Sequence, residues 1–377
     1  MSIRAETGFS LKDDLFNRDS VAQLSGSLTI AWADFPGRSF QRKVLKRFPE
    51  LELKERVQWM VDCLGDALPT RWSQALAILR RALPEPLDPT LSDDDFGQFI
   101  WVVPGEYVAR HGVQEKRLES SLKFLREATM RFSSELAIRP FLRAFPDETL
   151  AHVQRWATDK NYHVRRLASE GIRPLLPWAL RVRVPTAQVV AVLDQLYQDP
   201  TRYVVRSVAN NLNDVSKDDP ALVLKTLKRW SQAPHPSAGE QAWLTRHALR
   251  TLVKQDDPRA LTLLGYAKKP KVTLGPADCP EVVRVGETLR WAGELKSGKA
   301  QKLKVFLRVY FRNRQGGHAP RSFLLGDIEP AAGETRTLSK KVSFRPMTTR
   351  TLYPGDAHWE VVVNGVTVGR GNYTLQD

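Results

Sequence analysis

Cysteine is scarce in this 377-residue sequence: only Cys63 and Cys279 occur, and they lie far apart. They form no C-x-x-C motif, and nothing resembles the ligand set of a zinc or iron–sulfur site. The seven histidines are scattered, without an H-E-x-x-H motif or a His/Cys deaminase set. The two cysteines could pair, but a large chain with so few favours a reduced cytosolic protein. The sequence predicts no metal centre.

Long apolar runs and secretion signals are also missing. No run approaches the roughly 18–20 residues that span a membrane. The N-terminal residues Met1–Glu6 lack the apolar core of a signal peptide. No G-x-S-x-G nucleophile elbow is present either. We therefore expect no membrane association and no Ser/His/Asp mechanism, in a protein of the cytoplasm.

A complete P-loop is absent as well, although Gly293–Ala300 comes close to one. Ala300 replaces the hydroxyl that would hold Mg²⁺, and the run lies between two predicted strands instead of between a strand and a helix. We interpret it as a lysine-rich hairpin loop. Either Lys296, Lys299 and Lys302 contact phosphate there, or the loop is a solvated turn.

Acidic residues are outnumbered. The chain has 57 lysines and arginines against 42 aspartates and glutamates, a formal charge of +15 and a pI of about 9.9. A protein this basic usually meets nucleic acid, an anionic membrane surface or another polyanion. The alternative is a ribosome-associated or merely basic protein.

A seven-residue pattern recurs in the middle of the chain, with its last positions 35 and 41 residues apart. Such periods are typical of stacked helix pairs in a helical solenoid. A weaker echo follows at 245–248. The three copies are Thr129–Glu135, Val164–Glu170 and Val205–Asn211.

Apolar residues at 3.6-residue spacing predict helix after helix between about residues 39 and 266. An acidic, proline-rich loop interrupts them at 84–95. The clearest predicted helices are 53–68, 70–83, 147–158, 185–197 and 220–230.

The character of the chain changes near Lys268. A linker is predicted to about Pro280, and short alternating runs separated by Gly/Asn/Asp turns follow, which indicate an antiparallel β-sandwich of about 100 residues. Residues 271–377 carry 17 basic and 10 acidic side chains, so this part is also basic. A shared polyanionic ligand for both parts is the simplest reading. The predicted strands are 282–291, 303–311, 336–344 and 359–363.

Two glutamates, Glu135 and Glu170, occupy the same repeat position, and small residues precede each of them. Each could form an ordinary helix-surface pair with an arginine four residues away, worth roughly 0.3–0.5 kcal/mol. Their repetition favours a site instead, because the small neighbours would leave the carboxylates open to a ligand. Asn211 and Asp214 extend the same face.

Aromatic and basic side chains accompany these glutamates. Trp156 and Trp178 either fill the core or offer a platform for a positively charged base, and the helix break around Trp178 favours its exposure. The basic side chains either follow DNA phosphates as a stripe or pack between repeats. They are Arg165, Arg206 and Arg246 at matching repeat positions, and Arg166 one residue on.

Three stretches of the chain resemble the AlkC branch of the HEAT-like-repeat alkylpurine DNA glycosylases. The resemblance covers most of residues 40–260, and a C-terminal immunoglobulin-like domain fits one subgroup of that branch. The matching stretches are Ser134–Leu142, Val164–Gly171 with Arg173-Pro174 and Leu176–Ala179, and Val205–Asp214.

The resemblance implies a mainly α fold with a HEAT-like helical glycosylase domain, which we place over 1–267, followed by a linker over 268–280 and an immunoglobulin-like β-sandwich over 281–377. The basic charge of residues 271–377 indicates that the sandwich clamps DNA. It implies a monofunctional glycosylase that removes N3-methyladenine and N3-methylcytosine from duplex DNA without full base flipping. No metal and no cofactor would be required. The catalytic residues that it implies are Glu135, Glu170, Asp214 and Trp178.

We further expect a monomer that associates with the nucleoid when bound to DNA. The rival hypothesis is a non-catalytic HEAT-repeat scaffold that binds nucleic acid or protein. The repeated carboxylates favour the enzyme, because a phosphate-binding groove has no use for acidic side chains.

Overall fold

The computed structural model describes residues 10–93, 95–234, 236–346 and 351–377. Met1–Glu6, on which the expectation of no signal peptide rests, and Asp94 of the acidic loop lie outside the described residues. Of the described residues, 47% are helical and 19% lie in strands. The prediction of a helical part followed by a β domain is confirmed.

The described residues form sixteen α-helices, with short 3-10 helices at Phe48–Glu50 and Phe99–Trp101. None of these helices is long and apolar enough to cross a membrane. The helices are α1 (Leu11–Leu15), α2 (Arg18–Ala31), α3 (Gly37–Arg47), α4 (Leu53–Ala67), α5 (Trp72–Ala82), α6 (Val102–His111), α7 (Glu115–Ala128), α8 (Arg139–Ala144), α9 (Pro146–Trp156), α10 (Tyr162–Glu170), α11 (Thr186–Leu193), α12 (Arg202–Val215), α13 (Pro220–Gln232), α14 (Ala238–Ala248), α15 (Arg250–Lys254) and α16 (Pro258–Leu263).

The five helices predicted from apolar spacing are confirmed as α4, α5, α9, α11 and α13, with ends that differ by a few residues. In α4 a capping box joins Glu52 and Glu55 and fixes the first turn. One stripe of the helix is then buried, which is the face that the 3.6-residue period predicts. The stripe contains Val57, Met60, Val61 and Leu64.

Consecutive helical repeats are joined by a ladder of arginine–carboxylate pairs. Each arginine meets a carboxylate 33 to 38 residues further along the chain. These long-range pairs fix the spacing of neighbouring repeats. The pairs are Arg126–Asp159, Arg165–Asp199 and Arg202–Glu240.

The three copies of the repeat do not have the same conformation. Val164–Glu170 lies in α10 and Val205–Asn211 in α12, and these two helices pack together. Thr129–Glu135 instead forms the turns that follow α7 and precede α8. The first copy is therefore not a helix, because α7 ends at Ala128 and Pro140 starts a new helix at its first turn.

The described residues of the C-terminal part form a β-sandwich of eight strands. One sheet has the order β1-β3-β6 and the other β2-β8-β7-β4-β5, and among these strands only β2 and β8 pair in parallel. The strands are β1 (Val272–Asp278), β2 (Val282–Arg284), β3 (Thr288–Ser297), β4 (Leu303–Arg312), β5 (His318–Ile328), β6 (Thr335–Ser343), β7 (Gly355–Val363) and β8 (Val366–Gln376).

The inner faces of both sheets supply the core of the sandwich. Trp291 of β3 and Trp359 of β7 meet edge to face, with ring centroids 5.7 Å apart. Leu307 and Val361, which are fully buried, lie in the same cluster. Alternating side chains of each strand therefore bury one face, as a sandwich requires.

The sandwich differs from the predicted one in three places. β1 occupies most of the segment taken as a linker, and the run predicted as one strand over 282–291 is split into β2 and β3 by a turn at Gly286, whose φ is +97°. Lys296–Lys304 is not a hairpin, because β3 and β4 belong to different sheets. The loop crosses from one sheet to the other.

Two compact units divide the chain. One runs to Asp219 and adds Ala233–Ala248, while the other contains Pro220–Gln232 and Leu249–Asp377. In the second unit α15, α16 and the sandwich are tied together, since Tyr266 donates to Asp327 at 2.7 Å. The limits 1–267, 268–280 and 281–377 stay predictions.

Candidate functional site

Three carboxylates alternate with two arginines in one continuous chain of contacts. Arg166 donates to Glu135 and lies 3.5 Å from Glu170. Arg173 donates to Glu170 at 2.5 Å and, through Nε, to Asp214 at 3.0 Å. We call these five residues the carboxylate network. Lys217 Nζ lies 3.9 Å from Asp214 as well, so the three carboxylates face three basic side chains.

Two helices and two connecting segments build the network. Glu135 lies in the turn before α8, and Asp214 near the end of α12. Arg166 and Glu170 share one face of α10 at i, i+4 spacing, and Arg173 follows three residues after the helix ends. The structure thus brings together Glu135, Glu170 and Asp214, which the sequence predicted as one site.

The three carboxylates differ in exposure. The Glu135 side chain is 22% exposed, whereas those of Glu170 and Asp214 are 6% and 4% exposed. The expectation that small neighbours leave Glu170 open is wrong. They make room for α12 instead, from which Ser207 donates to Glu170 at 2.6 Å while its Oγ lies 2.9 Å from Oγ of Ser169.

The arginines keep Glu170 ionised. Burial alone would raise the pKa of this carboxyl, but Arg166 and Arg173, with the hydrogen bond from Ser207, outweigh burial and lower its pKa below the usual 4.5. Burial would likewise lower the pKa of Arg166, yet Glu135 and Glu170 raise it. Glu170 and Arg166 therefore both stay charged near neutral pH.

Arg139 organises the loop that follows α10. Its buried guanidinium donates to three backbone carbonyls, those of Gly171 at 2.8 Å, Arg173 at 3.0 Å and Leu180 at 2.5 Å. The surface pair between Glu135 and Arg139 that the spacing allowed is therefore not formed. The Arg139 side chain therefore anchors the loop that carries Arg173 and Trp178.

Trp178 lies on the surface, as the sequence suggested. Its side chain is 69% exposed, and its φ of +63° places it in the left-handed region, which is uncommon for a bulky residue. Lys54 donates to its carbonyl at 2.6 Å. Backbone strain of this kind persists only where the surroundings enforce it and is concentrated at functional sites.

Trp156 does not offer a stacking surface. It is 3% exposed and packs against His152, with ring centroids 5.9 Å apart. The prediction that Trp156 binds DNA is wrong, because its position on α9 faces the core. Of the two tryptophans named from the sequence, only Trp178 is available to a ligand.

The predicted arginine stripe is only partly on the surface. Arg165 uses its guanidinium between repeats, donating to Asp199 at 2.5 Å and to the Asp159 carbonyl at 2.8 Å. Arg166 belongs to the carboxylate network. Neither is free to contact phosphate, so those two predictions are wrong. Arg246 on α14 is exposed.

Arg206 is partly exposed and also forms an ion pair. It pairs with Asp93 of the acidic loop and keeps about a third of its side chain exposed. Lys296 occupies an exposed position of β3, and Lys299 is exposed in the loop that follows this strand. Lys302 instead lies 4.8 Å above the ring of Tyr266. DNA contact by Arg206, Arg246, Lys296 and Lys299 stays a prediction, and Lys302 is a poorer candidate.

Sequence reasoning did not single out Arg139, Arg173 or Ser207. Arg173 follows Glu170 by three residues, which is a helical pairing distance, but a chain turn separates them and the sequence does not reveal it. The contacts of Arg139 and Ser207 span 32 to 41 residues. Among the described residues no group of His, Cys, Asp and Glu is arranged to hold a metal ion.

Two family models match the chain. Residues 115–252 match the model described as DNA alkylation repair enzyme. Residues 276–377 match the C-terminal immunoglobulin-like domain of the uncharacterised protein YhaZ. The first match contains the whole carboxylate network, and the second contains seven of the eight strands.

Two proteins match over nearly their full length. The uncharacterized protein YhaZ of Bacillus subtilis (strain 168) is 33% identical over 357 residues, which cover 93% of this chain and 96% of that protein. The solved structure of Pseudomonas fluorescens alkylpurine DNA glycosylase AlkC, bound to DNA containing an abasic site analog, is 32% identical. It superposes with a TM-score of 0.82 over 98% of this chain and 100% of that one. The chain therefore belongs to the DNA alkylation repair enzyme family and has the AlkC-type architecture, a helical part followed by an immunoglobulin-like domain.

Proposed function

We propose that this protein is a monofunctional DNA glycosylase that hydrolyses the N-glycosidic bond of cationic alkylated bases, N3-methyladenine and N3-methylcytosine, in duplex DNA. The observation that supports this most is the carboxylate network. Its three acids are held in fixed positions, and Glu170 is kept ionised by two arginines. Such a cluster has no role in binding phosphate, but it suits a reaction that develops positive charge.

The chemistry fits the residues present. An alkylated base already carries a positive charge and leaves readily, so no general acid is needed. The sugar that remains resembles an oxocarbenium ion, which fixed carboxylates stabilise, and a carboxylate also orients the attacking water. We assign the contact with the sugar and water to Glu135, the most exposed of the three. Glu170 and Asp214 supply the surrounding negative field.

Trp178 stands beside these carboxylates as an exposed aromatic face. We propose that it packs against the damaged nucleotide, which stays close to the duplex instead of being fully flipped into a pocket. The strained backbone and the contacts from Lys54 and Arg139 preorganise this face. Removing the aromatic ring should therefore weaken excision more than it weakens DNA binding.

We propose duplex DNA as the partner, bound by HEAT-like repeats of the helical part and clamped by the immunoglobulin-like domain. The related AlkC structure holds DNA, and the charge of +15 on this chain supports the same ligand. We also propose a monomer in the cytoplasm that associates with the nucleoid, and domain limits at 267/268 and 280/281.

Base release from methylated DNA tests the proposal. Duplex DNA treated with a methylating agent is incubated with the protein, and free bases are separated by chromatography. We expect N3-methyladenine and N3-methylcytosine to appear. Tight DNA binding without any released base would contradict the glycosylase and support the scaffold hypothesis.

A further inference from the structure

A cleft lies beside the segment that carries Glu135, and of its lining residues the proposed chemistry uses only Trp178. It has a volume of about 230 Å³ and is enclosed by α4, α6, α8 and the loop that carries Trp178. Most of its lining is apolar, with Phe99 and Trp178 as aromatic walls, and three polar side chains reach it: Lys54, Gln58 and Glu106. Small-molecule sites are typically of this kind, apolar with a few placed polar groups.

The Glu106 carboxyl is the unusual group in this cleft. Its Oε1 atom is buried and has no hydrogen-bond partner among the described residues. Burial raises the pKa of Glu106, although Gln58 and Arg110 act in the opposite direction. Arg110 does not neutralise it directly, because it donates to Gln58 and Asp62. A buried polar atom without a partner calls for an explanation such as a missing ligand.

The cleft lies beside the segments that carry Glu135 and Trp178. Leu136 lines it and directly follows Glu135, and Trp178 forms part of its wall. A Cβ built on Gly105, the residue before Glu106, would lie 3.6 Å from the Cβ of Ala137 and 3.8 Å from Oγ of Ser134. Helix α6 therefore packs directly on the segment that carries Glu135. A base released at the carboxylate network would be delivered beside this cleft.

We propose that the cleft binds the alkylated purine base after its release, with Trp178 stacking on the ring and Glu106 hydrogen-bonding to its polar edge. A carboxyl oxygen accepts from an exocyclic amino group, and a protonated carboxyl also donates to a ring nitrogen. Both groups occur on one edge of an alkylated adenine. This inference rests on the proposed function, because only an excising enzyme produces the free base.

Binding of free N3-methyladenine to the full-length protein, measured by titration calorimetry, tests the proposal. We expect a dissociation constant below about 1 mM. Glu106→Leu and Trp178→Ala should each weaken binding by about tenfold or more. Glu106→Gln, which keeps the shape, should have a smaller effect. As a matched control, Glu148→Leu changes an exposed carboxylate of α9 outside the cleft and should bind as the wild type does.

Excision measured in parallel separates the two proposals. Two results would overturn the proposed base-binding role of the cleft and leave the proposed function standing. The wild type could excise the base but not bind it when free, or both cleft variants could bind the free base as the wild type does. Base binding that both cleft variants weaken, without excision, contradicts the proposed function and leaves standing only the affinity of the cleft for the free base. If Glu106→Leu slows single-turnover excision by the same factor as it weakens base binding, the cleft holds the base before release, and the proposal is wrong.

Discussion

Glu170 is surrounded by Arg166, Arg173 and Ser207, so its charge stabilises the fold as well as the proposed transition state. Replacing it by glutamine leaves two poorly compensated, buried arginines. We expect Glu170→Gln to lower the free energy of unfolding by about 3–5 kcal/mol. Because Glu135 is more exposed, Glu135→Gln should lower the free energy of unfolding by only about 1 kcal/mol. Urea unfolding of both variants measures this, and equal losses would contradict the assigned burial.

The same charges predict a pH dependence of stability. The pKa of Glu170 is lowered in the folded protein from 4.5, because its arginines outweigh burial. A lowered folded pKa means that the stabilisation is present above pH 4.5 and is lost as the pH falls through the folded value. Stability of the wild type should therefore fall below pH 4.5 more steeply than that of Glu170→Gln. If the urea midpoints of the two proteins change with pH in the same way, Glu170 does not contribute to the pH dependence of stability.

At the residue scale, the sequence indicates which acids lie together but not which side chains hold them. Glu135 and Glu170 recur at one repeat position, and Asp214 lies one turn beyond the matching Asn211. Arg139 could not be predicted, since it acts on carbonyls up to 41 residues away. The helix break around Trp178 indicates its exposure, whereas the sequence does not show that the Trp156 ring faces the core.

At the element scale, the ladder between repeats predicts that matching arginines have different roles. Arg165 pairs with the buried Asp199, whereas Arg246 is exposed. Arg165→Ala should lower the free energy of unfolding by about 3–5 kcal/mol, because it leaves a buried carboxylate unpaired. Arg246→Ala should keep its stability and flatten the log–log salt dependence of DNA binding by about 0.9.

Thermal unfolding and the salt dependence of DNA binding are measured on both variants, so that each variant is the control for the other. A loss of salt dependence in Arg165→Ala without a loss of stability would mean that the guanidinium contacts phosphate, contrary to its four hydrogen bonds within the protein.

Element prediction was accurate where burial is periodic. The helix α4 buries one clean stripe, and its predicted limits differ from the observed ones by a single residue. Strand β5 was not predicted, because most of its side chains are exposed and show no alternation. The first repeat copy was predicted as equivalent to the others, yet it forms turns. Sequence similarity over seven residues does not fix the backbone when a helix ends just before them.

At the scale of the whole molecule, the proposed clamp depends on the charge of the β-sandwich. Lys296 and Lys299 are exposed, whereas Lys304 pairs with Asp327. The double change of Lys296 and Lys299 to alanine should weaken DNA binding and flatten its salt slope by about two units. It should leave the melting temperature unchanged, because neither side chain is buried. An unaltered slope would mean that this loop does not contact DNA.

The central claim is that the carboxylate network removes alkylated bases, and single-turnover excision by Glu135→Gln tests it most directly. Glutamine keeps the shape and removes the charge that we assign to the sugar and the water. With DNA in which N3-methyladenine has been introduced, the account predicts a rate about 10²–10³ times lower than that of the wild type, with DNA affinity retained. Release of N3-methyladenine at a near-normal rate by Glu135→Gln would contradict the account.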